Sequence, residues 1–138
     1  MYKLKYFDVK ELVDQETYEL LGENAIKLFN KDLLIAIDTL RETYGSPITI
    51  NNWHRGGMFS QRGFRSSNSK VGSKTSQHRF GNAFDLTVTN ATAGAIRTHI
   101  LANKDKYPGI NRMEDDVSWV HCDAHPDYKN KRIYLFKP

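Results

Sequence analysis

Hydrophobic positions change their period along this chain, and each change marks an element. Residues 16–22, ETYELLG, form a short apolar–polar stretch that stops at Gly22 and predicts a brief helix. In DLLIAIDTLRETYG, residues 32–45, Leu33, Leu34, Ile37, Leu40 and Tyr44 recur at helical spacing. Asp32 is placed to cap that helix, Gly45 fits its stop, and Pro47 prevents continuation. ITINNW, residues 48–53, is β-branched and short, and NAFDLTV, residues 82–88, alternates, so both read as strands. ATAGAIRTHILANK, residues 91–104, predicts another helix, capped near Asn90. GINRM and SWVHCDA read as two strands joined by the acidic turn EDD, and RIYLF as a last strand. Residues 54–75, HRGGMFSQRGFRSSNSKVGSKT, lose periodicity altogether. A loop of that length inside a compact domain is uncommon, and is often functional.

Helices first and strands mostly later predict an α+β fold, a small antiparallel sheet with the N-terminal helices packed on one side. At 138 residues the chain is expected to form a single domain, 1–138. Hydrophobic residues make up 39%, enough for a core, while charged residues make up 26% and mean hydropathy is −0.61, so the class is ordinary globular. A net charge of +4 favours an acidic partner such as nucleic acid, an anionic wall polymer or a membrane surface. The single cysteine, Cys122, excludes an internal disulfide and a zinc-knuckle pattern. MYKLKYFDVKELVD has no apolar stretch of the secretory kind, and no run is long enough to span a bilayer. Synthesis in the cytoplasm without a signal peptide is therefore expected.

The chemistry emerges when the strands are given faces. Alternate strand residues share a side. Val120 and Cys122 suit a core, which turns Trp119, His121 and Asp123 to the opposite, open face. Phe84, Leu86 and Val88 likewise face the core, leaving Ala83, Asp85 and Thr87 opposite. His78 precedes this strand, and Gly81 lets the chain turn between His78 and Asp85. His78, Asp85 and His121 make a three-ligand zinc set with a fourth position left for water, the equipment of amide hydrolysis. Plainer roles are open to the same residues: His121 as a half-buried, satisfied histidine, and Asp85 as an acceptor for loop N–H groups.

Residues 62–85, RGFRSSNSKVGSKTSQHRFGNAFD, followed by SWVH, resemble the signature of zinc D,D-peptidases of the M15 type. That group includes D-alanyl-D-alanine carboxypeptidases and phage endolysins that cut the L-alanyl-D-glutamate bond. GFRSSN, VGS, SQHRFGNAFDL and SWVH fall in the family's order, and the likeness spans residues 62–123. It implies an M15 or hedgehog-like peptidase fold with one zinc ion on the open face of the sheet, held by His78, Asp85 and His121. It also implies that Arg65 binds the substrate carbonyl or the developing oxyanion. Ser76 and Gln77 hold the loop before His78, with Ser76 at the substrate side, and Trp119 becomes a wall of the site. Asp123 either joins the substrate-binding residues or orients His121. Where many members carry a glutamate three residues before the last histidine, this chain has Ser118. The general base is then sought in EDD: a two-residue turn at Asp115 and Asp116 would pair Glu114 with Val117 and put Glu114 on the face of His121. Glu114 is the first choice and Asp116 the second. His54, Trp53 and Arg55 are further candidates for the cleft wall.

The resemblance therefore implies a zinc metallopeptidase acting, as a monomer, on peptidoglycan stem peptides, with a zinc-activated water as nucleophile. Its place of action would be the bacterial cell wall, with phage delivery as one route. The alternative is a zinc-containing phage tail or wall-binding structural protein without turnover. Specific nucleic-acid binding is not expected: the basic residues from Arg55 to Lys74 are interspersed with Gly and Ser, and no recognised nucleic-acid motif accompanies them.

Overall fold

A computed structural model of the chain describes residues 1–129 and 132–138. Among the described residues are three α-helices: α1 (Gln15–Leu21), α2 (Lys31–Tyr44) and α3 (Ala93–Ala102). Five strands accompany them: β1 (Ile48–Thr49), β2 (Ala83–Val88), β3 (Arg112–Glu114), β4 (Val120–Asp123) and β5 (Tyr134–Phe136). They form one sheet in the order β1-β2-β4-β3-β5. The α+β class is as expected, with one difference: β5 runs parallel to β3, so the sheet is mixed rather than antiparallel. No helix among the described residues is long and apolar enough to cross a membrane.

Helix ends follow local side-chain chemistry. Asp14 caps α1 by accepting from Thr17 N at 2.8 Å, and Gly22 ends it at φ 59°. The cap of α2 is Asn30 rather than Asp32: its Oδ1 accepts from Asp32 N at 2.9 Å. Both residues are good caps, and the helix starts at the one whose side chain reaches a free N–H one turn in. Thr92, not Asn90, caps α3. The expected strand over 48–53 closes after Thr49, because Asn51 and Asn52 turn their side chains onto the backbone of neighbouring segments. Asn51 donates to Val13 O at 3.1 Å and accepts from Arg62 N at 2.9 Å, tying the segment just before α1 to the long loop.

α2 buries Leu33, Leu34, Ala36, Ile37 and Leu40 in a core shared with Phe84, Leu86, Met113, Val120 and Cys122 from the sheet. Cys122 is free and buried, and burial pushes its thiol pKa up, as suits an inert packing residue. On the same helix Asp38, 3% exposed, accepts from Tyr2 Oη at 2.7 Å, Lys5 N at 2.9 Å and Tyr6 N at 3.2 Å. It pins the N-terminal segment to α2. Asp38→Ala strands these donors and is expected to lower stability by about 2–4 kcal/mol, read from urea unfolding. A loss below ~0.5 kcal/mol, the range of an ordinary surface substitution, would show that the segment is held by other contacts.

Candidate metal centre

β2 and β4 pair with Asp85 opposite His121, in the register that also sets Phe84 against Cys122. The apolar pair faces the core, and the ionisable pair faces a recess. His78 arrives from a 3-10 turn (Gln77–Phe80) that Gly81 closes at φ 68°. A Cβ at Gly81 would collide with the carbonyl of Leu28, so the glycine serves both the turn and a close backbone approach. Ser76 Oγ caps that turn, accepting from His78 N at 3.3 Å, and Asn82 donates to Gln77 Oε1 at 3.2 Å. The holding role expected of Ser76 and Gln77 is what these contacts perform.

Donor atoms from His78, Asp85 and His121 lie within 4.8 Å of one another, and all three residues are buried. His78 Nδ1 faces Gly63 O at 2.8 Å. A carbonyl cannot donate, so Nδ1 carries the proton and Nε2 is left as the ligating atom. That Nε2 is buried with no hydrogen-bond partner among the described residues, although Asp85 Oδ2 lies 3.3 Å away. Asp85 Oδ1 is 2.9 Å from His121 Nδ1. Tetrahedral zinc with nitrogen and oxygen ligands sets its donors about 3.3 Å apart. The orphaned Nε2, the separations and the His-Asp-His chemistry all fit a zinc ion.

Charges in the centre are mutually dependent. Burial would raise the Asp85 pKa, but contacts with His121 and then His78 hold the carboxyl well below the usual range. Burial would lower the His121 pKa, yet hydrogen bonds to Asp123 and Asp85 push it up to about 9. Without a cation, His121 is thus an imidazolium between two carboxylates. A metal ion would take the place of the proton on Nδ1, while Nε2–H remains on Asp123 Oδ2 at 2.7 Å. Asp123 is fully buried, and Arg112 Nε reaches both its oxygens at 2.9 Å. Of the two roles expected for Asp123, the geometry matches orientation of His121; no free face remains for substrate.

The recess over the centre, 340 Å³, is lined among others by Arg65, Ser76, Glu114, Trp119 and Phe136. Arg65 donates from Nε to Gln61 O at 2.8 Å and from Nη2 to Asp85 Oδ2 at 3.3 Å. Gly72, φ 73°, leaves room for it: a Cβ there would lie 2.6 Å from Nη1. Glu114 lies in this recess, but not through the expected turn. The register Arg112 to Asp123 and Met113 to Cys122 makes residues 115–119 a five-residue connection, so Glu114 sits alongside His121 and not Val117. Arg97 Nη1 of α3 holds the connection, donating to Val117 O at 3.2 Å and Trp119 O at 3.1 Å. Asp115 and Asp116 turn away to Lys137, so Asp116 does not line the recess. Nor do His54, Trp53 and Arg55; Trp53 Nε1 donates instead to Val13 O at 2.7 Å.

Two arginines that sequence reasoning passed over complete the frame. Arg112 lies on the open face of β3 at the same period of two that placed Asp85 and His121, and so was within reach of that reasoning. Arg79, inside SQHRFG, donates to Ser73 O at 2.9 Å, Ser66 O at 2.9 Å and Ser69 O at 2.8 Å. One guanidinium thereby orders a loop that has no ladder of its own. Arg79→Ala is expected to speed proteolytic cleavage between residues 66 and 73 and to lower stability by about 1–3 kcal/mol. Unchanged digestion would show that the loop is ordered without it.

Two histidines and an aspartate meeting on one face of a small sheet, with an arginine and a glutamate beside them, form a cluster that could hold a metal ion. The Peptidase M15 family model matches residues 5–123, and the chain belongs to this family, whose members are in general zinc-dependent peptidases. The match extends the likeness seen over 62–123 back through both N-terminal helices. No curated protein and no solved structure matches the chain at a significant level.

Proposed function

We propose that this protein is a zinc peptidase that hydrolyses an amide bond in peptidoglycan stem peptides, the whole of 1–138 acting as one catalytic domain. The observation that carries the reading is the buried, unpartnered Nε2 of His78 aimed at Asp85 and His121, with Glu114 and Arg65 in the same recess. Zinc bound there supplies a Lewis acid and lowers the pKa of a coordinated water towards neutrality. Glu114, whose carboxylate has no hydrogen-bond or ion-pair partner among the described residues and which lines the recess, accepts a proton as general base and returns it to the leaving amine. Arg65, fixed by Gln61 O, directs its guanidinium at the carbonyl oxygen as negative charge develops. Ser76 and Trp119 border the peptide, and Asp123 keeps the His121 ring in its working orientation.

One chain supplies every residue named, which fits a monomer. The net charge of +4 suits an anionic wall polymer, and action at the bacterial cell wall, with delivery by a phage, is the setting in which that charge is useful. A second reading, a zinc-holding structural protein without turnover, draws on Ser118, a hydroxyl where many family members have a carboxylate. Metal analysis of the purified protein, combined with mass spectrometry of digested peptidoglycan, tests both. About one zinc per chain and release of defined peptides is the expected result. Zinc without any cleavage would favour the structural reading, and absence of zinc would defeat both.

A further inference from the structure

A second recess of 290 Å³ adjoins the first, sharing Asp85 and Trp119 with it and adding Phe59, Arg62, Thr87 and Ser118. Arg62 is the unusual member. Its guanidinium lies 4.2 Å over the Phe59 ring, and Nη1 makes one long hydrogen bond, 3.4 Å, to Thr87 Oγ1. The other arginines around the centre are engaged by carboxylates or carbonyls: Arg65 by Asp85, Arg97 by Asp115, Arg112 by Asp123 and Arg79 by the loop carbonyls. Among the described residues no carboxylate pairs with Arg62. Asp85 is the acid nearest in influence, and its oxygens are already directed to Arg65, His78 and His121.

The position of Arg62 is nevertheless fixed. Its backbone N–H donates to Asn51 Oδ1 at 2.9 Å, and its carbonyl accepts from Asp85 N at 2.7 Å. The residue is thereby locked to the same strand that carries the candidate ligand. Half-buried and stacked, the guanidinium has lost part of its water without gaining an anion, and burial lowers its pKa accordingly. A desolvated, preorganised fork of N–H donors is the arrangement that favours a planar carboxylate.

We propose that Arg62, with the hydroxyls of Ser118 and Thr87, forms a subsite for a free carboxylate of the peptide substrate, on the Phe59–Trp119 side of the metal centre. The assignment rests on the peptidase reading, and it adds that the enzyme selects acidic peptides over their amides. The Phe59 ring packs against the guanidinium, and Trp119 also lines the recess.

The test uses two pairs of peptides, acetyl-L-alanyl-D-glutamate and D-alanyl-D-alanine, each against its carboxamide form. Binding to the zinc-loaded full chain is measured by calorimetry, beside hydrolysis of the same peptides. At least one acid is expected to bind about 10- to 100-fold more tightly than its amide. Arg62→Gln removes that preference while zinc content and unfolding stay as in the parent, and Arg62→Lys restores part of it. Preference without hydrolysis would uphold the subsite and count against the peptidase reading. Hydrolysis with the preference intact in Arg62→Gln would overturn the subsite alone, and equal binding of acid and amide by the parent would overturn it directly.

Discussion

Asp85→Ala is expected to leave the protein folded and without zinc. Asp85 is the one residue in contact with every other member of the centre: His78, His121 and Arg65 all lie within 3.3 Å of its carboxylate. Removing it takes away a ligand and also the negative charge that offsets a divalent ion beside Arg65. Loss of an outer partner of a metal-bound histidine typically costs about 10- to 100-fold in affinity. Asp123→Ala, which removes the partner of His121 Nε2, is expected to fall in that range. Asp85→Ala must exceed it, with zinc lost to a competing chelator that leaves the parent loaded. Folding is read separately by unfolding of the zinc-free proteins, with Asp85→Asn as the variant that keeps the shape. Zinc affinity within tenfold of the parent in both Asp85 variants would remove Asp85 from the ligand set.

Why these three residues were legible and others were not has a physical explanation. A period of two is a strong constraint once one face is apolar, so Phe84 and Leu86 placed Asp85, and Val120 and Cys122 placed His121. His78 was harder, because a residue outside a strand has no face. Its position depends on Gly81, where positive φ and the nearby Leu28 carbonyl leave room for no side chain. The hairpin length was misjudged because EDD resembles a turn in composition, whereas the true connection is fixed by Arg97 from a distant helix. No local pattern carries that information. The parallel pairing of β5 with β3 is of the same kind, since a strand's sequence does not name its partner's direction.

The basic loop shows the same limit from the other side. Read as a string, Arg55 to Lys74 is a scatter of cations among Gly and Ser. In three dimensions Arg62 and Arg65 turn inward, to Thr87 and Asp85, while Arg79 beyond its end gathers the loop carbonyls. Charge that looks like an outward-facing surface is instead spent on shaping the recess. Of the two inward arginines the motif points to Arg65, whereas nothing in it points to Arg62, whose inward turn is fixed only by the fold.

The second large effect concerns proton transfer. Glu114→Gln is expected to keep zinc and fold yet to lower hydrolysis by about 10²- to 10⁴-fold, the usual contribution of a positioned general base. The substitution preserves shape and hydrogen-bonding reach but removes the ability to accept a proton. Asp115→Ala and Asp116→Ala serve as controls: their carboxylates pair with Lys137 outside the recess, so rates close to the parent are expected. Arg65→Ala should resemble Glu114→Gln in retaining metal and losing turnover, by about 10²- to 10³-fold if it acts on the developing oxyanion. The two are separable by their pH profiles, because only loss of the base removes the acidic limb of kcat/KM. Parent-like rates in Glu114→Gln, with zinc in place, would show that the proton leaves by another route and that Glu114 only borders the cavity.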